Sequence, residues 1–230
     1  MAKFLNSIYS PNKSGRLGAS VFGKNAFGPF EKMLGIPSNP RTIGQMNRRN
    51  QFAALARRWG NLTEGQRTKW DNLAKDYPIV RKGMSHYLSG FLFFLMLNSN
   101  LQIIGESIVE DSHRLDAPQA FESFSVDVVC TPGSEDMNMN VSPAISSGSK
   151  IQVYASKVLK PGRKAQAKEM RLITVLDHSF ISGNSIKDAY IAKFGGMPST
   201  GEKAAFWIKA TNITDGYTSL PYTCVSFGIA

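Results

Sequence analysis

The chain has 230 residues, 42% of them hydrophobic and 19% charged, with a formal net charge of +10. That length can bury a real core, and the balance of residue types describes a globular chain and excludes a disordered one. The longest apolar run, FLFFLML at 91–97, is far shorter than the roughly 20 residues that cross a bilayer, and the first residues lack a signal peptide's continuous apolar stretch, so neither membrane insertion nor standard export is expected.

Residues 1–40 carry glycine at 15, 18, 23, 28 and 35 and proline at 11, 29, 37 and 40, with single aromatics between them. Such density disfavours regular helix. The segment reads as an extended basic arm that orders on something larger, with Phe22, Phe27 and Phe30 as its anchors. Within it, GASVFGKN at 18–25 nearly spells a phosphate loop, but Asn25 stands where a magnesium-binding hydroxyl is needed and no buried strand precedes the glycine. Glycines that let an arm lie flat are the preferred explanation.

Residues 41–105 read as a helical module. A first helix begins near Asn39–Pro40 and stops at Gly60, with Ile43, Met46, Phe52, Leu55, Ala56 and Trp59 forming an amphipathic stripe. Thr63 and Gln66 have the spacing of a capping box and open a second helix that Pro78 closes. Gln66, Trp70, Leu73 and Tyr77 share its face, so Trp59 and Trp70 are expected to meet as helical core. A third helix, 89–100, is apolar on nearly every side and is predicted to be buried.

The charge is concentrated ahead of that third helix. Up to Gly60, ten cations face Glu31 alone, a net of +9, whereas from Asp116 onward eleven cations face ten acids. This asymmetry implies an acidic partner, either protein or DNA. Arg41, Arg48, Arg49, Arg57, Arg58, Arg67 and Lys69 are the candidate docking residues.

After a linker at 106–119, the hydrophobic period becomes two from residue 120 to residue 230. Alternating or β-branched runs, divided by turn clusters such as TPGSED, KPGRK and TDGYTS, give about seven strands and one helical insertion, NSIKDAYIAKFG, before the penultimate strand. The expected class is α+β: an extended arm, a small helical module and an antiparallel β-sandwich. His86, His113 and His178 lie at no metal-ligand spacing, the acids form no catalytic pair, and Cys130 and Cys224 read as two buried thiols. The residues therefore argue for no enzyme, metal or cofactor.

Three stretches resemble known families. FWIKATNITDGYTSLPYTCVSF resembles the last hairpin of a fibronectin type III or immunoglobulin-like domain. RRWGNLTEGQRTKWDNLAKDYP resembles the second half of an HMG box, which implies a minor-groove DNA binder. Residues 15–101, with the Asn39–Thr42 turn, the Gln45–Arg49 helix segment and the Trp59–Trp70 segment, resemble uncharacterised tailed-phage and prophage-like proteins in which an Ig-like domain often follows. The last resemblance covers the longest stretch. It implies a virion structural protein, capsid-associated, connector or decoration, made in the host cytoplasm and assembled beside other virion proteins and copies of itself. DNA remains the alternative partner.

Overall fold

The computed structural model describes residues 14–25, 28–35, 39, 41–81, 84–131 and 133–229. It divides into two compact units, Met1–Asn47 and Arg48–Ala230, with the boundary inside the first helix.

The first unit holds a three-stranded antiparallel meander of β1 (Gly15–Leu17), β2 (Ser20–Asn25) and β3 (Gly28–Met33). Gly18, at φ +58°, opens the two-residue turn between β1 and β2, a backbone region that side-chain-bearing residues rarely adopt. The segment read as an arm that orders on something larger thus pairs its strands with one another. Phe30 lies across from Gly23, and its ring packs so closely that a Cβ on Gly23 would sit 2.8 Å from it. Phe22 pairs with Gly15 and Glu31. Phe27 lies outside the described residues.

Helix α1 (Ile43–Asn61) starts later than the Asn39–Pro40 signal and ends one residue beyond Gly60. Thr42 opens it: its hydroxyl accepts the Gln45 amide at 3.4 Å and its carbonyl accepts the Met46 amide at 3.0 Å. Arg41, at φ +51°, turns the chain just before. Helix α2 (Glu64–Asp76) has the anticipated capping box in full, with Thr63 and Gln66 exchanging side-chain-to-backbone bonds. A short hairpin of β4 (Ile79–Arg81) and β5 (Met84–His86) follows. Helix α3 (Gly90–Ile103), capped by Ser89, buries Phe93, Phe94, Leu97, Asn98 and Leu101. Gly90 is needed where α3 crosses α2, because a Cβ there would meet Asp71 Oδ1 at 2.5 Å.

The β-domain is one six-stranded mixed sheet in the order β7-β6-β11-β10-β8-β9. Its strands are β6 (Ser123–Val129), β7 (Asp136–Ser142), β8 (Ser149–Ala155), β9 (Arg171–Leu176), β10 (Lys203–Asn212) and β11 (Tyr222–Ile229). Strand β11 pairs antiparallel with β10 along most of its length and parallel with β6 at Gly228 and Ile229. The sheet curls, so the inner residues of β6 and β7 (Val126, Met139) share one core with those of β8 and β10 (Val153, Phe206, Ile208). Helix α4 (Lys187–Phe194), the predicted insertion, closes this core with Tyr190, whose hydroxyl donates to the Ser156 carbonyl at 3.0 Å. Six strands rather than seven span the domain among the described residues.

Residues 106–119 have no regular structure but are tied to both sides. The Trp70 indole donates to the Glu110 carbonyl at 2.8 Å, and buried Asn98 accepts the Val109 amide at 2.7 Å and donates back to the Val109 carbonyl at 3.1 Å. At the far end, Asp215 accepts the Asp116 amide and Asn212 donates to the Asp116 carbonyl. The helices also meet the β-domain directly: Asn100 donates to the Gly216 carbonyl at 3.0 Å, and Lys150 donates to the carbonyl of Ile104, which caps α3, at 3.1 Å. The segment is a strap joining helices and sheet into the single unit Arg48–Ala230.

Candidate interaction surfaces

Trp70 is 2% exposed and lies edge-on to Phe93 and Phe94, with ring centroids 6.4 Å and 5.4 Å away. Trp59 is half-buried and packs on Phe91 and Phe94, at 5.6 Å and 5.4 Å. The two tryptophans therefore meet through the Phe94 ring of α3, since the apolar third helix fills the space that a two-helix hairpin would leave between them.

The basic residues do not converge on one line. Successive helical residues point about 100° apart, so the neighbours Arg48 and Arg49, and again Arg57 and Arg58, aim in different directions. Arg48 lies over the Phe52 ring, 5.6 Å from its centroid, and bonds the Gln51 side chain. Arg57 folds back to the Ala53 carbonyl of its own helix. Arg58 pairs with Glu110 at 2.8 Å, so its charge is partly spent on holding the strap. On α2, Arg67 donates to the Gly60 carbonyl at 2.6 Å and locks the α1–α2 corner, while its buried Nε has no partner. Lys69 is exposed, as is Arg49. Arg41 belongs to the first unit. Of the docking set in the second unit, Arg48, Arg49, Arg57 and Lys69 thus present charge outward, whereas Arg58 and Arg67 serve the fold.

Apolar exposure accompanies those cations. In the 19 residues of α1, Leu55 alone is buried, whereas Ile43 is 79% exposed, Met46 48% and Phe52 43%. The stripe read from the sequence is therefore real as a pattern, but most of it faces solvent. A second apolar surface lies on the outer face of the β-domain, where Val225 and Phe227 are 56% and 49% exposed beside half-buried Trp207. Sequence reasoning passed over this face, although β11 carries its signal. In TCVSFGI the outward positions 223, 225, 227 and 229 are Thr, Val, Phe and Ile, a mostly apolar row on the face turned away from the core.

The chemistry-bearing side chains stay apart. Among the described residues no three of His, Cys, Asp and Glu gather as metal ligands. The 18–25 stretch forms a turn and β2, so backbone groups that would cradle a phosphate pair with β1 and β3 instead. Cys130 and Cys224 are free thiols, the first donating to the Pro198 carbonyl at 2.9 Å. Burial pushes the Cys224 thiol up to about 12. Burial also raises Cys130, helped by Glu135 and Glu202. Asp177 is held below the usual carboxylate range by the hydroxyl and amide of Ser179, a local turn and not an activated acid. No helix among the described residues is long and apolar enough to cross a membrane.

No protein-family model, no curated protein and no solved structure matches this chain.

Proposed function

We propose that this protein is a structural component of a phage-like particle, working as an adaptor between subunits and not as an enzyme. The observation that carries the reading is α1. A helix of this length draws most of its stability from packing an apolar face, yet Leu55 is its one buried residue. Phe52, with Arg48 over its ring and Arg49 one turn before it, is built to be covered by an acidic neighbouring subunit. The amino-terminal meander and α1 supply the anchor, other virion proteins and further copies of this chain are the partners, and the virion is the destination.

The β-domain is read as an Ig or fibronectin type III-like sandwich that presents a second contact surface. Three features support it. The order β11-β10-β8-β9 follows the G-F-C-C′ sheet of such domains, β6 and β7 occupy the A and B positions, and the isolated bridge between Asn138 and Ser185 lies where an E strand would pair with B. Support for a protein partner over DNA comes from the dispersal of the arginines, which form no single stripe among the described residues, and from the use of Trp59 and Trp70 as packing residues against α3.

Mass spectrometry of density-purified particles from cells carrying the gene tests the assignment. The protein should band with the particles in fixed proportion to their major subunit. Recovery only in the particle-free fractions would end the proposal.

A further inference from the structure

The outer face of β10 and β11 holds a groove of about 450 Å³. Its position follows from the register: Phe206, Ile208 and Ala210 point into the core, so Lys203, Ala205 and Trp207 point out and stand opposite Phe227, Val225 and Thr223 of β11. Leu159 completes the apolar floor. The rim is cationic, formed by Arg163, Lys164 and Lys203. Glu169 pairs with Arg163, and the nearby Glu202 is turned to accept the Ser199 amide. Lys164 and Lys203 therefore have no carboxylate partner among the described residues.

We propose that this groove binds an acidic peptide segment carrying one or two large apolar side chains, supplied by a partner protein. Charge complementarity gives the acidic half. The outward positions of β10 and β11 include lysine at 203 and 209 but no carboxylate, so an incoming Asp or Glu meets only positive charge and makes charge-assisted bonds. The floor gives the apolar half, since Val225 and Phe227 gain their burial only when something covers them.

The same residues argue against single-stranded nucleic acid, which needs open aromatic faces for its bases. Lys203 already sits over Phe227, 5.5 Å from its centroid, and Lys209 sits over Tyr154 at 5.7 Å. A base would have to displace those ammonium groups, whereas a carboxylate approaches them as they stand. The partner's backbone is not read by strand addition, because β11 is already paired to β10 on one side and to β6 on the other. Recognition comes from side chains lying across the strands. The proposal rests on the groove's own residues and stands whether or not the particle assignment holds.

The test uses the full chain and a short fluorescent peptide in which glutamates alternate with leucines around a central phenylalanine, followed by polarisation. Three controls accompany it: the peptide with lysine for glutamate, the peptide with serine for its apolar residues, and an oligothymidine of similar length. We expect saturable binding of the first peptide alone, weakened at least about tenfold by Val225→Asp and by the double change Lys164→Glu with Lys203→Glu. All these positions lie on the surface, and unchanged far-ultraviolet circular dichroism identifies variants that remain folded. Equal binding to wild type and both variants overturns the proposal. So does preference for the serine peptide, the lysine peptide or the oligothymidine, or the absence of saturation by any probe below about 1 mM.

Discussion

Replacing each tryptophan of the helical layer by alanine separates a core residue from a half-covered one. Trp70 is 2% exposed, touches two phenylalanine rings and donates to the Glu110 carbonyl. Burying an indole removes about 200 Å² from water, worth about 5 kcal/mol at about 25 cal/mol per Å². Part of that area is already covered in the denatured chain, so Trp70→Ala should cost about 3–5 kcal/mol, the range of large-to-small core changes. Trp59 contacts α3 on one side and meets water on the other, so roughly half the area is at stake and Trp59→Ala should cost about 2 kcal/mol. Trp70→Phe keeps most of the ring contact and gives up the part-buried indole bond to the Glu110 carbonyl, a loss of about 1–2 kcal/mol. Urea unfolding followed by circular dichroism measures all three, with stability read from midpoints at constant slope. A Trp59→Ala loss equal to or above that of Trp70→Ala would refute the reasoning, because it would place the helical core on the wrong tryptophan.

Further outcomes follow from other contacts. A Cβ on Gly216, which has φ +72°, would lie 2.3 Å from the Leu97 carbonyl oxygen, so Gly216→Ala should destabilise the protein by about 1–3 kcal/mol and loosen α3 against the sheet; proteolysis that leaves the 106–119 strap as resistant as in wild type would count against this. The Cys224 thiol is raised from 9.0 to about 12 by burial, so it favours the folded state below about pH 9, and that contribution is lost as pH climbs toward 12. Cys224→Ala should accordingly flatten the fall in stability across that alkaline window, and a thiol reagent should label Cys224 slowly at neutral pH; rapid labelling of the folded protein would contradict its burial. With Arg58 paired to Glu110 and Arg67 committed to the Gly60 carbonyl, DNA binding should be weak, unbent and steeply lost with salt. A marked shortening of a short duplex at physiological salt, seen by end-to-end energy transfer, would restore the HMG-like alternative.

The elements legible in the sequence are those governed by local chemistry. Thr63 and Gln66 announce the start of α2 because a capping box is made within four residues, and the six strand runs from β6 to β11 follow from alternating or β-branched residues divided by turn clusters. The meander at 15–33 escaped for the opposite reason. Its glycines look like the breakers of an arm, whereas Gly18 opens a hairpin turn and Gly23 gives up its own side chain so that Phe30 can cover it from the neighbouring strand. Such cross-strand compensation has no signature at fixed spacing. The strap at 106–119 was equally hidden, since its hold depends on Asn98, Asn212 and Asp215, residues distant in the chain that hydrogen-bond to its backbone.

The candidate surfaces show a deeper limit of pattern reading. Periodicity states which face of an element is apolar, but not what lies against that face. On α3 the cover is the rest of the molecule: Phe93 and Phe94 receive Trp70, Trp59 and Tyr77. On α1 the same periodic signal ends in exposed Ile43, Met46 and Phe52. On β11 the outward Val225 and Phe227 repeat that situation in a different secondary structure. A chain with a core of this size has apolar residues to spare for solvent singly, but not in ordered rows on two elements flanked by cations. Exposed rows of that kind persist when the surface they bury is supplied by another molecule, and the cations beside them set the sign of its charge. The positive flanks of both rows, Arg48 and Arg49 beside Phe52, and Lys164 and Lys203 beside the β11 groove, are why the partners we propose are apolar and acidic together.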